Sequence, residues 1–495
     1  MAIWAPHRLR QIRISDSVES CCFAANSETV ERPQHTLKKM LRRELLATLA
    51  LAKATPAKTN PAKPNILVIM PDQWRGIDLG CAGNAQVKTP NLDRLAKEGV
   101  HLADAVANCP VCTPARASLL TGKYPHAVAS NEPGGMSVND LPFGPNQPTL
   151  PKALAAAGYF TGFIGKWHLH GGPRLPGFVP PGPARLGFEW WAGNICSHAY
   201  TRQTYFRNEP NPIPISGYDT FAWTDLALEF LAAAAQRHQP WCLHLWYPTP
   251  HDPYLLPPGF EKSHDPAKIE LRKNWIETPR NGSRRDIAGY YSAIACLDQQ
   301  IGRVLANVSE NTIVVFLSDH GDMLGSQGTL LKRKPWEESV RIPGIISWPD
   351  KIKPGVSHVP FSHVDVAPTL LGLAGLPALP KSQGFNYAPH LLGKPAKKAL
   401  PDHAIILSYT RTESNEHAPW RGIRTSRWKY ARFEDQPWVM YDLAKDPFEL
   451  DNLATRPEHA KQRQRFDRLI ASHMRRTGDT WQERFDVLRR PTAKS

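Results

Sequence analysis

Residues 64–75 read PNILVIMPDQWR. Pro64 introduces a short, unbroken apolar run, the pattern of a strand buried on both faces. Asp72 follows at its C-terminal end. The same grammar returns three times: YFTGFIG (159–165) ends at Lys166, PWCLHLWY (240–247) runs into His251, and NTIVVFLS (311–318) ends at Asp319–His320. Helical stretches lie between. TPNLDRLAKEG (89–99) has Thr89 as N-cap, Pro90 at the first position and Gly99 as stop. TLPKALAAAG (149–158) repeats that layout, and TDLALEFLAAAAQRH (224–238) and YYSAIACLDQQIGRVLANV (290–308) are longer helices. Strands alternating with helices predict an α/β fold: a large, mostly parallel sheet flanked by helices. In such sheets ligands collect beyond the carboxyl ends of the strands. One polar residue after a strand is usually a cap or turn former. Asp72, Lys166, His251 and Asp319 at four equivalent places describe a site.

After residue 400 the pattern changes. HAIILSYT (403–410), RGIRTSRWKYARF (421–433) and WVMYDLAKDPFELDNLA (438–454) read as a smaller antiparallel sheet, followed by a basic helix. The expected division is a leader and linker at 1–63, a catalytic domain at 64–400 and a C-terminal subdomain at 401–495. The chain of 495 residues, 41% hydrophobic, is long enough for both cores. Its formal charge of +15 favours anionic partners. No basic-aromatic recognition motif accompanies that charge, so nucleic acid is not an expected partner. The tract RPEHAKQRQRFDRLIASHMRR (456–476) reads as a solvated helix face.

From Met40, the expected true start, MLRRELLATLALAKATPAK (40–58) carries a basic pair, a short apolar run and an Ala-x-Ala choice at Ala52–Ala54. That is the layout of a bacterial export signal, and Arg42–Arg43 resembles the twin-arginine type. The run is too short to span a bilayer. An ordinary basic-ended helix is the alternative. Export to the periplasm or medium is the expectation, with the Pro-rich stretch to residue 64 as linker.

NCPVCTPARASLLTGKYPH (108–126) places Cys109 and Cys112 at the mouth of a helix. A redox dithiol, half of a zinc site, or one nucleophile beside an unrelated thiol would all fit. No second Cys-x-x-Cys completes a zinc site, and the eight cysteines are spaced too irregularly for a disulfide framework. A helix N-terminus favours a thiolate at Cys112, and Arg116 falls one turn on, near enough to pin the cysteine's loop. Asp72, the Gln73 amide oxygen, Asp319 and His320 would suit a divalent cation. Lys166 and His168 (GKWHLHGG, 165–172), His251 (PTPHDPY, 248–254) and Lys332 (LLKRKPWEE, 330–338) are candidate charge stabilisers and proton carriers. A cation and several basic groups around one nucleophile neutralise a phosphoryl or sulfuryl group in transfer. Asn194, His198 and Arg202 (GNICSHAYTR, 193–202) either line the leaving-group side or belong to an ordinary loop.

CTPAR (112–116) resembles the Cys-x-Pro-x-Arg core of the sulfatase family, and ASLLTGKYPH (117–126) continues the longer signature. NILVIMPDQWR, GKWH, PHDPY, SDHGDMLG, KRKPWEESVRIP and YDLAKDPFELDNLA follow in the family's order, so the resemblance spans about residues 64–455. It implies an alkaline-phosphatase-like fold and sulfate-ester hydrolysis, of a sulfated small molecule or glycan. It also implies conversion of Cys112, and not Cys109, to formylglycine by a formylglycine-generating enzyme. The implied metal is Ca²⁺, with Mg²⁺ or Mn²⁺ as substitutes, held by Asp72, Gln73, Asp319, His320 and residue 112. In that scheme a hydrated aldehyde attacks sulfur, Lys332 and His251 stabilise the ester and protonate the leaving alcohol, and His168 helps expel sulfate. Lys166 and Arg116 hold the diol. Lys332 is preferred to Lys334 by its spacing to Trp336–Glu337. Gln73 and His320 depart from the commonest Asp-Asp and Asp-Asn pairs, which leaves phosphonate monoester or phosphodiester hydrolysis as the alternative. An inactive binder of sulfated polymers is the non-enzymatic rival; it has no use for an oxidisable nucleophile. Oligomeric state is not readable.

Overall fold

The computed structural model describes residues 63–129, 135–172, 174–277, 283–396, 398–409 and 418–481. Met40, Arg42–Arg43 and the Ala52–Ala54 choice lie outside the described residues.

Eight strands form the main sheet, in the order Gly355–Ser357, Val100–Leu102, Gly344–Ser347, Thr312–Leu317, Asn65–Ile69, Trp241–Trp246, Phe160–Lys166, Trp190–Asn194. The four strands expected from sequence lie side by side in its middle, all parallel. Ile69 stands opposite Leu245 on one side and Phe316 on the other, so their carboxyl ends come level. Trp190–Asn194 extends the parallel block, and Gly344–Ser347 runs antiparallel to Thr312–Leu317.

The apolar run of the first strand divides its side chains between two cores. Ile66 and Val68 join one cluster, Leu67 and Ile69 the other. Burial on both faces is the reason no polar residue alternates with them. Each such buried aliphatic stabilises the fold by roughly 1.5–3 kcal/mol. Helices Cys112–Thr121, Leu150–Ala156 and His363–Leu373 cover the first face with Leu119, Leu154 and Leu370. Helices Pro90–Glu98, Asp219–Ala235 and Arg284–Leu305 cover the second with Leu92, Phe230 and Ile294. Thr149 caps its helix by accepting from the Lys152 N–H. Thr89 holds the N-cap position, but its hydroxyl bonds Asp93 and the Gly80 N–H instead of a helix amide.

Strands Ala404–Ser408, Trp420–Arg424, Trp428–Arg432 and Pro437–Asp442 form a separate antiparallel sheet. Helix Ala460–Thr477 buries Phe466 and Ile470 against it. Leu407 and Ile423 of this sheet share an apolar cluster with Cys109 and Val111, and the Leu407 N–H donates to the Asn108 carbonyl at 2.9 Å. The segment just before Cys112 is therefore held by strands near the far end of the chain.

Candidate active site

Asp72, His251 and Asp319–His320 follow the central strands at one level of the sheet, and Lys166 is the last residue of its own. Gly165, at φ +108°, lets the backbone turn there; a Cβ would stand 1.9 Å from the Trp246 carbonyl oxygen. Cys112 opens its helix just after extended Val111. These elements bring one ligand atom each from Asp72, Cys112, Asp319 and His320 within 4.8 Å of one another, all buried.

The Cys112 Sγ lies 3.2 Å from His320 Nε2, 3.8 Å from Lys166 Nζ and 4.0 Å from Asp72 Oδ1. Burial and the Asp72 carboxylate oppose its ionisation, but Lys166, Lys332 and His320 hold the thiol well below its usual range. Cys109 is the contrast: buried among apolar side chains, its thiol is pushed up to about 12 by that burial. Arg116 ties the helix that Cys112 opens to the sheet. It donates to Asp72 at 3.2 Å, to Asp319 at 2.8 Å and to the Lys166 carbonyl at 2.8 Å, joining three strand ends. Lys166 Nζ also contacts Asp72. Burial opposes ionisation of Asp72, yet Lys166, His251, His198 and Arg116 hold its carboxyl well below the usual range.

A second group faces the first. Lys332 Nζ donates to His251 Nε2 at 2.7 Å and to Gln73 Oε1 at 2.8 Å. The other nitrogen of His251 donates to the Asp252 carbonyl at 2.8 Å, so Nε2 is the lone-pair side. Gln73 Nε2 donates to Asp322 at 2.7 Å and Asp252 at 3.2 Å, which turns its amide oxygen toward Lys332. The Lys332 loop is braced just beyond by Glu337, paired with Arg424 and Lys429, and by Glu338, paired with Arg272.

Family profiles match this chain over most of its length. One described as Sulfatase covers residues 64–376, and one described as N-sulphoglucosamine sulphohydrolase, C-terminal, covers 325–476. The chain belongs to the sulfatase family. It is a sulfuric ester hydrolase with the expected alkaline-phosphatase-like fold. An ulvan-active sulfatase of Formosa agariphila is 34% identical to it over 451 residues, spanning 89% of this chain and 86% of that protein. BT4656, solved in complex with its substrate D-glucosamine-2-N,6-O-disulfate, matches with a TM-score of 0.72 at 25% identity, covering 84% of this chain and 99% of that one. The phosphonate monoester hydrolase of Agrobacterium radiobacter matches with a TM-score of 0.67, also at 25% identity, covering 84% and 96%.

The sulfatase family implies a metal ion and a cysteine-derived formylglycine, and the cluster fits both. Two buried carboxylates converge with an imidazole whose Nδ1 is taken by the Gly321 carbonyl at 2.9 Å, leaving Nε2 for the cluster. That donor set suits a divalent cation. A thiol is the mismatched member, soft among hard ligands, and oxygen at position 112 would remove the mismatch.

Three site residues escape the sequence reading. Asp140 accepts from His168 Nε2 at 2.8 Å and from Nε and Nη2 along one edge of the Arg174 guanidinium. His168 Nδ1 is buried with no hydrogen-bond partner among the described residues. Asn139 accepts from the Thr113 N–H at 3.0 Å, next to Cys112. Asp322 orients Gln73. Asp140 and Asn139 follow no strand, and nothing in their spacing marks them. Of the loop residues, His198 enters the site, 3.1 Å from Lys166 Nζ and stacked on His251 at 3.8 Å. Asn194 donates to the Thr204 carbonyl and Arg202 is exposed.

Proposed function

We propose that this sulfatase hydrolyses a sulfate ester of a carbohydrate, using formylglycine made from Cys112 and a divalent cation, Ca²⁺ before Mg²⁺ or Mn²⁺. The position of Cys112 carries the reading: its sulfur stands at a helix N-terminus, 3.2 Å from His320, 3.8 Å from Lys166 and 4.0 Å from Asp72. The carbohydrate class rests on what the relatives act on, ulvan in one and a disulfated glucosamine in another.

Hydrated formylglycine supplies an oxygen nucleophile and a second hydroxyl through which sulfate can leave. The cation supplies a positive centre for the sulfate oxygens. Asp72, Asp319 and His320 would hold it, with Gln73 the neighbouring amide. Arg116 and Lys166 offset the buried carboxylates and keep residue 112 in place. The Lys332–His251 pair faces the leaving alcohol: the Lys332 ammonium, steered by its hydrogen bonds to His251 Nε2 and Gln73, supplies the proton that the departing oxygen takes up. His168, oriented by Asp140, accepts a proton at Nδ1 when sulfate is expelled. Maturation then needs a formylglycine-generating enzyme, and the Met40 leader sends the protein out of the cytoplasm.

The phosphonate monoester hydrolase of like fold supports a second reading with the same residues. Release of sulfate from sulfated glycans and small sulfate esters, measured beside release from aryl phosphonate esters, separates the two. Preference for the phosphonates overturns the first reading.

A further inference from the structure

Helix Ala460–Thr477 has two unlike faces. One buries Phe466 and Ile470 in the cluster that also holds Val111, and Phe466 stacks on Tyr430. The other exposes Lys461, Arg465, Arg468, Ser472 and Arg475, each three or four residues after the last. Those steps bracket the helical turn of about 3.6 residues, so the side chains line one stripe about 21 Å long. Exposed Arg476 flanks it.

No acid lies in the stripe. Asp467 is on the opposite side, accepting from Tyr430 and Arg432. Arg465 pairs with Asp402 at 2.7 Å. Among the described residues, Lys461, Arg468, Arg475 and Arg476 have no carboxylate within ion-pair distance. Like charges a turn apart weaken a helix, whereas interspersed acids would strengthen it. A row of one sign therefore costs stability that an external anion would restore.

We propose that this stripe docks a linear polyanion of sulfated sugars, the polymeric form of the substrate class argued above, on which reading the proposal rests. The exposed positions between the cations are Gln464 and Ser472, not aromatic platforms for bases, which favours a polysaccharide over single-stranded nucleic acid. The stripe is also fixed relative to the site. Its helix shares a core with Val111, and its last turn meets the segment after the Cys112 helix, where the Thr477 carbonyl lies 3.1 Å from His126 Nε2.

The test uses the full chain and heparin as probe. Affinity is measured across NaCl concentrations for wild type, for K461E/R468E/R475E/R476E and for the four matching Gln changes, which remove charge without reversing it. A control, K97E/K351E/K353E/K394E, reverses four exposed cations elsewhere. Both stripe variants should bind heparin at least about tenfold more weakly near 0.1 M NaCl, with a shallower salt dependence. Their kcat/KM for a small aryl sulfate should stay within about twofold of wild type, since the exposed stripe makes no contact with the buried cluster. Unchanged heparin affinity overturns the proposal. So does an equal loss in the control, which would reduce the effect to net charge, or tighter binding of DNA than of heparin by wild type. If wild type releases sulfate from no sugar, the substrate reading fails by itself, and the heparin measurement still decides the stripe.

Discussion

His168 Nε2 donates to Asp140 Oδ1 at 2.8 Å, and Arg174 grips the same carboxylate from its other side. An acceptor-only, ionised Asp140 fixes the imidazole tautomer, leaving Nδ1 as the lone-pair atom. Asp140 has φ +65°, a conformation Asn tolerates well, so Asp140→Asn keeps the backbone while removing the charge. Turnover should fall by about tenfold or more, with little change in melting temperature. Full turnover in this variant would show that His168 needs no such orientation.

Asp319→Ala should abolish bound divalent metal, measured by elemental analysis, together with nearly all turnover. The change removes one of two buried carboxylates of the cluster and one of the two that Arg116 contacts. The fold should lose on the order of 3 kcal/mol from the broken buried pair. Chelation of the wild-type protein should reproduce the loss of activity alone. Metal retained at full stoichiometry in Asp319→Ala would place the site elsewhere.

Cys112→Ala should eliminate turnover, whereas Cys109→Ala should keep most of it and lose only some packing. Protein made with a formylglycine-generating enzyme should carry the aldehyde at 112, seen in the mass of its tryptic peptide. Normal turnover by fully unmodified protein would defeat the mechanism.

Lys332→Ala should lower kcat far more than Lys334→Ala, because Lys332 Nζ contacts both His251 and Gln73. A loss of two to three orders of magnitude is expected for a group that supports proton transfer. The reverse ranking in steady-state kinetics would move the role to Lys334.

His244 stands inside the central sheet, with both ring nitrogens buried and without hydrogen-bond partners among the described residues, and burial depresses its pKa to about 3. The unfolded chain takes up that proton near the ordinary value of 6.5, before the native state can. Stability should therefore fall as pH drops from 6.5 toward 3, and this residue contributes nothing above 6.5. His244→Leu should melt progressively higher than wild type, relative to neutral pH, as the buffer is taken from 7.5 to 5. Parallel melting curves at the two pH values would count against it.

The central strands are legible because a strand covered on both faces is a plain apolar run, and a polar residue directly after it stands out. Asp72, Lys166, His251 and Asp319 are found that way. Trp190–Asn194 is not, since its Gly and Asn hide the pattern, and Val100–Leu102 is too short to signal itself. Asp140 follows no strand, and Asp322 comes after a corner already marked by Asp319–His320; each acts on a side chain set by long-range folding, Asp322 on Gln73, 249 positions away. The loop holding His198 reads equally well as ordinary until folding stacks it on His251.

Cys112 is 2% exposed, and the two residues that seat it, Cys109 and Val111, are locked by strands translated some three hundred residues later. Once those strands are in place, no second protein can close its own active site around that sulfur. The proposed conversion of Cys112 to formylglycine therefore needs a chain still open, in the interval between synthesis of the Cys112 segment and arrival of the C-terminal sheet. Under that proposal folding speed sets the yield of competent enzyme: a variant that closes faster should contain more unconverted cysteine, though its finished structure is the same.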